Sequence, residues 1–483
     1  MINLSYEQKE ELGYKYVTDM LSPVCPYGVK RLKSEGFYGP DDRAALDAEL
    51  DNIALVLSTL NADERTVLDI HHELSALKEI SGSLKTAENA DLSEIDLFEL
   101  TAFSLRIKSL IPMLERLAIY KKLSGVEFED VSEVLKILDP AGTERLSFYV
   151  ESSRSKELLA ARNRKKELEK RLKEEPEKRE EILTERLLAS KDEELALGKI
   201  YREMTEALRP HLGLLAKNAE SAGRLDALIC KAKLAKQFGC VRPKVGTDSL
   251  IIKGAIHPEI RDALSSRGRD FMPIDIELPV GVSVLTGANM GGKSVAMKTV
   301  ALNTALALSG IFVFADDAEI PCFDRIELIN RDFSNAAGGL SSFGGEIVRF
   351  NEAAGRLKEG GLSFIVMDEF ARGTNAEEGA AIAKAVVKYL SDKNAVSILA
   401  THYDGTAKYA ARHYQVKGLR KLENENIGVL KNEGLRIVEN SMDYGLISVD
   451  IGQDCPRDAL NICRILGMSE DILDFAENAL TKE

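Results

Sequence analysis

The sequence predicts an α/β domain preceded by an all-α region that contains long helices. Residues 1–150 carry apolar side chains at helical spacing and few strand signals. Residues 151–209 are rich in charge, and Pro176 is the only helix breaker within them. From about Cys240 onward, short apolar runs alternate with polar or glycine-bearing loops, which is typical of buried strands in an α/β sheet.

Composition and charge narrow the class of protein. The chain has 483 residues, enough for about three domains. Apolar residues make up 45% and charged residues 29% of it, as in globular proteins. Asp and Glu number 78 against 64 Lys and Arg, so the net charge is −14. This charge excludes a uniformly basic DNA-coating protein, although it leaves room for a local basic face.

The sequence shows no clear targeting segment, membrane-spanning run or paired-cysteine motif. The N-terminal residues are polar, and the longest nearly apolar run, residues 305–315, is too short to cross a bilayer. No C-x-x-C pair occurs, so we expect free thiols in a reducing compartment rather than a disulfide or zinc site. A cytoplasmic protein without membrane contact is therefore expected. The cysteines are Cys25, Cys230, Cys240, Cys322, Cys455 and Cys463.

Three consecutive segments are expected along the chain. Residues 1–150 should form a helical core, because apolar side chains recur at helical spacing, for example over residues 105–117. Residues 151–240 should form long helices with a short turn near Pro176. Their opposite charges are nearly balanced, which favours a solvated arm over a DNA-gripping face. Residues 241–483 should form the α/β domain.

One segment carries a phosphate-binding pattern. Residues 287–294 read Gly-Ala-Asn-Met-Gly-Gly-Lys-Ser and fit G-x-x-x-x-G-K-[ST], directly after the apolar run at 282–286. Backbone amides of such a loop converge on phosphate, and the helix that follows adds its N-terminus. Lys293 would reach the β- and γ-phosphates, and the Ser294 hydroxyl would ligate Mg²⁺. The expected nucleotide contacts in this loop are Gly287, Asn289, Met290, Gly291, Gly292, Lys293 and Ser294.

Two further apolar runs end in polar residues. The run at 364–367 is followed by Asp368, which would hold the Mg²⁺ shell, and by Glu369, which would position and polarise water. Alone, such an ending usually marks a strand that runs into a surface turn, but beside a phosphate loop it indicates nucleotide hydrolysis. A third run ends just before His402. We expect His402 to sense the γ-phosphate or orient water; the alternative is an ordinary hydrogen-bonding histidine.

These segments, in this order, resemble the MutS family of ATPases. The loop departs from the family pattern at Ala288, where a proline is usual. Residues 367–375 look like the family's Walker B segment, and residues 400–403 look like its histidine motif. Residues 339–346 are similar to the family's signature segment. There a serine of one subunit touches the nucleotide of the other, and Ser341 is the matching position.

The resemblance has further implications. Phe271 falls where the family places an adenine-stacking aromatic residue. An ABC/MutS-type P-loop NTPase fold, ATP and Mg²⁺ as cofactors, and catalytic roles for Lys293, Glu369 and His402 are implied. The helices before this domain would be the family's core and lever helices. A homodimer, or a heterodimer with a related MutS-like subunit, is also implied, with a helical dimerisation tail over residues 459–480.

The sequence also departs from the family pattern in ways that indicate a shorter protein. The helical core pattern begins near the start of the chain, which leaves no room for separate mismatch-reading and connector domains. In the nearest lookalike of the mismatch-reading motif, Gly39 stands where a glutamate is required. The turn near Pro176 is too short for a full DNA-gripping clamp, and no nuclease-like domain follows the tail. We therefore expect a short form without the mismatch-reading domain.

Two functions stay open from the sequence. The first is an ATP-gated dimer of DNA mismatch-repair or DNA-binding type. The second is the ATPase component of a reactivase that remodels a B12-dependent lysine aminomutase, the role of short MutS-like ATPases that resemble this chain. An SMC-type ATPase is disfavoured because its coiled coil lies between the two nucleotide motifs, whereas the charged arm here precedes Gly287. A small-molecule kinase is disfavoured because the Ser341 segment implies a second subunit.

Overall fold

The computed structural model describes residues 2–117, 119–144, 148–287, 292–329, 342–419, 442–453, 455 and 459–480. The chain divides into two compact units. The sheet unit comprises Met1–Leu21, Gly36–Ala54 and Lys233–Glu483, and the helical unit comprises Ser22–Glu35 and Leu55–Ala232. The three segments expected from sequence follow chain order, whereas these units do not, because two N-terminal stretches pack with the C-terminal half.

The described helices and strands occur in the following order. The helices are α1 (Tyr6–Glu11), α2 (Tyr14–Asp19), α3 (Pro26–Ser34), α4 (Arg43–Ala62), α5 (Glu64–Ser75), α6 (Ser81–Asn89), α7 (Glu94–Arg116), α8 (Ser132–Leu138), α9 (Lys156–Glu174), α10 (Arg179–Leu208), α11 (Leu212–Phe238), α12 (Pro258–Ser265), α13 (Lys293–Leu308), α14 (Ser342–Leu357), α15 (Ala376–Leu390), α16 (Ala459–Ile465) and α17 (Glu470–Leu480). The strands are β1 (Lys244–Val245), β2 (Leu250–Ala255), β3 (Ile274–Leu278), β4 (Gly281–Thr286), β5 (Asp317–Ile320), β6 (Arg325–Ile329), β7 (Ser363–Asp368), β8 (Ala395–Ala400), β9 (Arg412–Leu419) and β10 (Met442–Ser448).

Helix α7 shows how the helical unit is built. Its start is fixed by a capping box, in which the Asp96 amide donates to Ser93 Oγ at 3.3 Å and the Ser93 amide donates back to the Asp96 carboxylate. One face then buries apolar side chains, among them Leu97, Phe103 and Leu110. A single amphipathic pattern in the sequence therefore specifies both the helix and the face that it buries.

Helices α9 and α10 form an antiparallel arm. They meet at a short 3₁₀ turn over Pro176–Lys178, which is the position of the break predicted from the sequence. Near this turn the arm buries a small apolar cluster of Leu168, Ile182 and Ala189. Ion pairs supplement this cluster between the helices: Glu193 of α10, for example, accepts from both Arg162 and Lys165 of α9, at 2.8 and 2.6 Å. The high charge content of this segment is thus partly accounted for by pairing across the arm.

A buried carboxylate fixes α3 within the helical unit. Asp226 is fully buried; its Oδ2 accepts the amides of Val24 and Cys25 at 3.0 and 2.9 Å, and its Oδ1 lies 3.1 Å from His71 Nε2. Burial would raise the pKa of Asp226, but these hydrogen bonds hold it below its usual value. At Gly28 a Cβ would lie 2.1 Å from Asp226 Oδ2, so only glycine permits this approach.

The sheet unit contains a six-stranded sheet in the order β10-β9-β4-β8-β7-β6. The strands from β9 to β6 run parallel, and β10 pairs antiparallel with β9 at the edge. A second sheet has the order β1-β5-β2-β3. Strands β4, β7 and β8 coincide with the three apolar runs identified from sequence. Each is almost completely buried, as expected for inner strands of a parallel sheet.

No helix in the described part of the chain is both long enough and apolar enough to cross a membrane.

Candidate functional site

The register of the parallel sheet brings the predicted motifs to one edge. Leu285 of β4 and Asp368 of β7 are each paired with Ala400 of β8. The three segments that follow these strands therefore leave the sheet side by side. The Glu369 amide donates to the Ala400 carbonyl at 3.1 Å, which joins two of these segments directly. Ligands in open α/β sheets bind at this carboxyl edge.

Lys293 lies at the start of α13, immediately after the loop. The described ends of the loop, Gly287 and Gly292, have φ values of 150° and 87°, a region that favours glycine. Lys293 is 5% exposed, and its Nζ donates to the Gly287 carbonyl at 2.8 Å. Burial lowers the pKa of Lys293, against the opposing effect of Glu369 and Asp368. A buried cation at a helix N-terminus is well suited to an anionic ligand.

Asp368 ends β7 beside Ser294. Burial raises the pKa of Asp368, and a hydrogen bond with Ser294 opposes this shift. The Oδ1 atom of Asp368 is buried and has no hydrogen-bond partner among the described residues. A buried carboxylate oxygen next to a hydroxyl oxygen is a suitable pair of ligands for Mg²⁺, which prefers hard oxygen donors. Ser294 and Asp368, the two residues predicted to hold Mg²⁺, therefore carry donor atoms that suit this ion.

Glu369 occupies a tight turn after β7. Its carboxylate forms an ion pair with Arg372, and both Glu369 and Ala371 have positive φ values, 49° and 65°. The surroundings hold this unusual backbone: the Ala371 amide donates to Glu346 Oε2 at 3.0 Å, and Tyr403 Oη donates to the Ala371 carbonyl at 3.3 Å. Strained turns of this kind persist only where neighbouring contacts fix them.

His402 follows β8 at the same edge. Its ring centroid lies 4.4 Å from that of Tyr403, and its Nδ1 is buried without a hydrogen-bond partner in the described part of the chain. Burial lowers the pKa of His402, and the negative charge of Glu369 opposes this effect. A neutral imidazole at this position can accept or donate a hydrogen bond to water or phosphate.

A cavity of about 380 Å³ joins the loop to Phe271. Its lining combines polar residues at the start of α13 and Glu369, which follows β7, with apolar side chains around Phe271. We refer to it as the nucleotide cavity. It is lined by Ile260, Leu264, Asp270, Phe271, Met272, Ile274, Gly292, Lys293, Ser294, Val295, Ala296, Glu369 and Tyr444.

The predicted site residues are distributed as follows. Phe271, Gly292, Lys293, Ser294 and Glu369 share the nucleotide cavity. Neither Asp368 nor His402 is among its lining residues; Asp368 shares with Ser294 a separate cavity of about 30 Å³. Asn289, Met290, Gly291 and Ser341 lie outside the described residues.

Several of the lining residues could not be predicted from the sequence. Leu264 and Met272 add apolar surface beside Phe271, and Tyr444 comes from β10, far along the chain. None of them belongs to a recognisable motif. Arg372 lies within residues 367–375, the segment that resembles a Walker B motif, but the sequence predicts no role for it. Only the structure shows its contact with Glu369.

Fold and site together are those of a P-loop ATPase-type domain: the phosphate-loop sequence follows the central strand β4, and the acidic pair follows β7, which is separated from β4 by β8 alone. Comparison with known families is more specific: residues 283–464 match MutS domain V. This part of the chain is therefore similar to domain V of the MutS family.

Curated relatives extend the similarity beyond this domain. A DNA mismatch repair protein MutS from Caldicellulosiruptor bescii is 28% identical over 99% of this chain and 56% of its own length. One from Thermus aquaticus is 34% identical over 47% of this chain and 26% of its own length. An Endonuclease MutS2 from Carboxydothermus hydrogenoformans is 27% identical over 59% of this chain and 34% of its own length. The chain thus spans about half, or less, of these relatives.

Proposed function

We propose that this chain binds ATP with Mg²⁺ and hydrolyses it in a MutS-type active site. The observation that carries the proposal is the nucleotide cavity. An aromatic and apolar end at Phe271 suits a purine base, and a cationic end at Lys293 and the start of α13 suits phosphates. The similarity of residues 283–464 to MutS domain V supports the same assignment, because domain V is the ATPase domain of MutS proteins.

Each site residue has a role in this proposal. Lys293 neutralises phosphate charge, and Phe271 stacks on the adenine. Ser294 and Asp368 hold Mg²⁺, which when bound neutralises charge on the phosphates. Glu369 orients and polarises the attacking water once its carboxylate is released from Arg372. His402, neutral because it is buried, supplies a hydrogen bond to that water or to the γ-phosphate.

We further propose that the site is completed in a homodimer, or in a heterodimer with a related subunit. The support is the resemblance of the segment around Ser341 to the family signature, in which a serine reaches the partner's nucleotide. ATP-dependent closure of such a dimer would move the arm formed by α9 and α10. A local phosphate contact would thereby cause a large displacement.

We propose that the movement of this arm acts on bound DNA. The relatives' names, DNA mismatch repair protein MutS and Endonuclease MutS2, support it. Remodelling of a B12-dependent lysine aminomutase is the alternative proposal from sequence, and none of the relatives cited here is named for it. The chain's net charge of −14 predicts modest, salt-dependent affinity for duplex DNA, through local rather than global positive charge.

A trapping experiment tests the proposed function. Glu369→Gln keeps the shape of the side chain but removes its negative charge, so this variant should bind ATP, fail to hydrolyse it and accumulate as an ATP-bound dimer. Tagged Glu369→Gln protein is purified with ATP, and the associated macromolecules are identified. Co-purifying DNA supports the DNA-acting proposal, whereas a stoichiometric aminomutase would replace it with the reactivase. Normal hydrolysis by the variant would contradict the role of Glu369.

A further inference from the structure

Side chains of three metal-ligating types meet inside the helical unit. Asp226 and Cys230 lie four residues apart on α11, so they share one face of that helix, and His71 comes from α5. Their donor atoms, an imidazole nitrogen, a carboxylate oxygen and a thiol sulfur, all lie within 4.8 Å of one another. We refer to these residues as the His-Asp-Cys cluster. Cysteine spacing, which disfavoured a zinc site, did not reveal the cluster because His71 and Asp226 are 155 positions apart in the chain.

The distances within the His-Asp-Cys cluster are close to those around a tetrahedral metal ion. Asp226 Oδ1 lies 3.1 Å from His71 Nε2 and 3.8 Å from Cys230 Sγ. With Zn–N and Zn–O bonds of about 2.1 Å and Zn–S bonds of about 2.3 Å, neighbouring donor atoms of a tetrahedral zinc site are about 3.3–3.6 Å apart. Small adjustments of the side chains would therefore place all three donor atoms around one ion.

Hydrogen bonds orient the carboxylate of Asp226 within the cluster. Its Oδ2 accepts the amides of Val24 and Cys25 at 3.0 and 2.9 Å. Its Oδ1, which the Val24 amide also approaches at 3.2 Å, faces His71 and Cys230. Carboxylates that bind metals are commonly fixed by such outer hydrogen bonds. The fold thus presents one oxygen of Asp226 to both the imidazole and the thiol.

Burial and charge favour a cation at the His-Asp-Cys cluster. Asp226 is 0% exposed, Cys230 4% and His71 8%. Despite this burial, hydrogen bonds hold the pKa of Asp226 below its usual value, so the carboxylate is ionised. An ionised carboxylate in a protein interior requires a compensating positive charge, which a divalent cation supplies.

A hydrogen bond between His71 and Asp226 is the simpler arrangement, but it accounts for only two of the three groups. Cys230 distinguishes the two alternatives, because it places a soft sulfur atom beside the same carboxylate oxygen. Cys230 forms no disulfide, so its sulfur can become a thiolate ligand. Thiolate and imidazole ligands together select zinc and related transition metals over Mg²⁺ and Ca²⁺.

We propose that His71, Asp226 and Cys230 bind a divalent transition-metal ion of the zinc class, which joins α5 to α11. The thiol proton of Cys230 passes to solvent as the sulfur–metal bond forms, and the imidazole binds in its neutral state. All three ligands belong to the helical unit, so the proposal does not depend on nucleotide binding by the sheet unit.

Cobalt substitution gives a spectroscopic test of the thiolate ligand. The full chain is produced in medium supplemented with Co²⁺, so that the ion can enter while the chain folds. We expect about one ion per chain, a thiolate-to-cobalt charge-transfer band in the near ultraviolet and strong visible bands of tetrahedral Co²⁺. Cys230→Ala should lose the charge-transfer band. Cys240→Ala is the matched control and should keep it, because Cys240 is also buried but belongs to the sheet unit.

Zinc affinity, measured by competition with a chromophoric chelator, tests the histidine ligand. His71→Gln should weaken zinc binding at least about a hundredfold, whereas His72→Gln, at the exposed neighbouring histidine, should stay within about twofold. Removal of the metal should also lower the melting temperature of the unaltered protein, because an ion that binds only the folded state stabilises it.

Circular dichroism verifies that each variant is folded. If the ligand variants are not folded, the cobalt spectrum of the unaltered protein decides. A folded, unaltered protein that shows no thiolate–cobalt band and no zinc binding would overturn the proposal. Unchanged metal binding in both His71→Gln and Cys230→Ala would overturn it equally, since the ion would then lie elsewhere.

Discussion

Gly379 shows how one residue maintains the turn that carries Glu369. A Cβ at this position of α15 would lie 2.4 Å from Tyr403 Oη and 2.7 Å from the Ala371 carbonyl. The hydroxyl and the carbonyl belong to the contacts that hold the positive φ of Ala371. Glycine is therefore required here by the neighbouring turn, although it is unfavourable for the helix itself.

Gly379→Ala should consequently destabilise the protein by about 1–3 kcal/mol, because the steric conflict outweighs the gain in helix propensity. Gly355→Ala in α14 is the matched control, since a Cβ there meets nothing within 4 Å. This control should be neutral or stabilising by up to about 1 kcal/mol. Thermal and urea unfolding measure both effects. Equal behaviour of the two variants would show that the turn does not depend on Gly379.

His257 is predicted to make stability depend on pH. Its Nε2 lies 3.1 Å from the Leu12 carbonyl, and its Nδ1 accepts the Ile260 amide at 3.4 Å, so only a neutral ring satisfies both contacts. Burial lowers the pKa of His257 to about 4. The unfolded chain therefore takes up the proton first, and this contribution to stability is present above about pH 6.5 and is lost as the pH falls toward 4.

Between pH 7 and pH 5 the loss from His257 should be about 2 kcal/mol. His257→Asn, although less stable at neutral pH, should show a shallower decline across this interval. Urea unfolding at closely spaced pH values gives the comparison. Burial also lowers the pKa of His413, so the variant should retain part of the slope. Parallel profiles for the variant and the unaltered protein would contradict the neutral, buried state of His257.

At the residue scale, sequence motifs could predict the position of a side chain only where a short local segment determines it. Lys293, Ser294 and Glu369 lie together because one short loop and one strand end place them there. Tyr444 could not be predicted, since its position depends on a bulge in a strand remote along the chain. The positive φ of Ala371 was equally hidden, because no glycine marks it and only contacts from Glu346 and Tyr403 hold it.

At the element scale, a buried ion pair joins α3 to α11 within the helical unit. Lys231 of α11 has a completely buried side chain, and its Nζ lies 2.8 Å from Glu35 Oε2, just after α3. Arg31 Nε contacts the same carboxylate at 3.2 Å. Removing one member of a buried pair leaves the other charge poorly solvated, which is costly even where the intact pair adds little stability.

Glu35→Ala should therefore destabilise the helical unit by about 3–5 kcal/mol. Adding Lys231→Met to this variant should recover much of the loss, because the buried ammonium that has lost its contact with Glu35 is then removed. Glu133→Ala is the control, since the Glu133–Lys136 pair is highly exposed; it should change stability by less than about 1 kcal/mol. Circular dichroism during urea unfolding measures all three. An unchanged Glu35→Ala variant would show that the buried pair is dispensable.

Element positions were the most predictable part of the fold. The apolar runs before Gly287, Asp368 and His402 coincide with β4, β7 and β8 of one sheet, because buried parallel strands require nearly continuous apolar sequence. The break near Pro176 coincides with the turn between α9 and α10, since proline cannot continue a helix. The order of strands within the sheet was not predicted, because pairing depends on long-range contacts.

At the scale of the whole molecule, the sequence did not predict that two N-terminal stretches belong to the sheet unit. Residues of α1 and α2 pack in the sheet unit: Lys298 Nζ lies 3.3 Å from Glu11 Oε1, and Tyr16 Oη donates to Asp262 Oδ2 at 2.7 Å. Their helical periodicity resembles that of the helices after them, so local sequence did not distinguish them. The decisive contacts are with residues more than 200 positions away.

The proposed function requires that the nucleotide cavity binds ATP through the phosphate loop. Equilibrium binding of ATP·Mg²⁺ by calorimetry, on the unaltered protein and on Lys293→Ala, tests it most directly. Lys388→Ala, in α15 and outside the cavity, is the control. We predict binding by the unaltered protein and the control, and affinity at least about thirtyfold weaker in Lys293→Ala, because a buried cation facing phosphate is lost. Equal affinity of all three proteins would contradict the account.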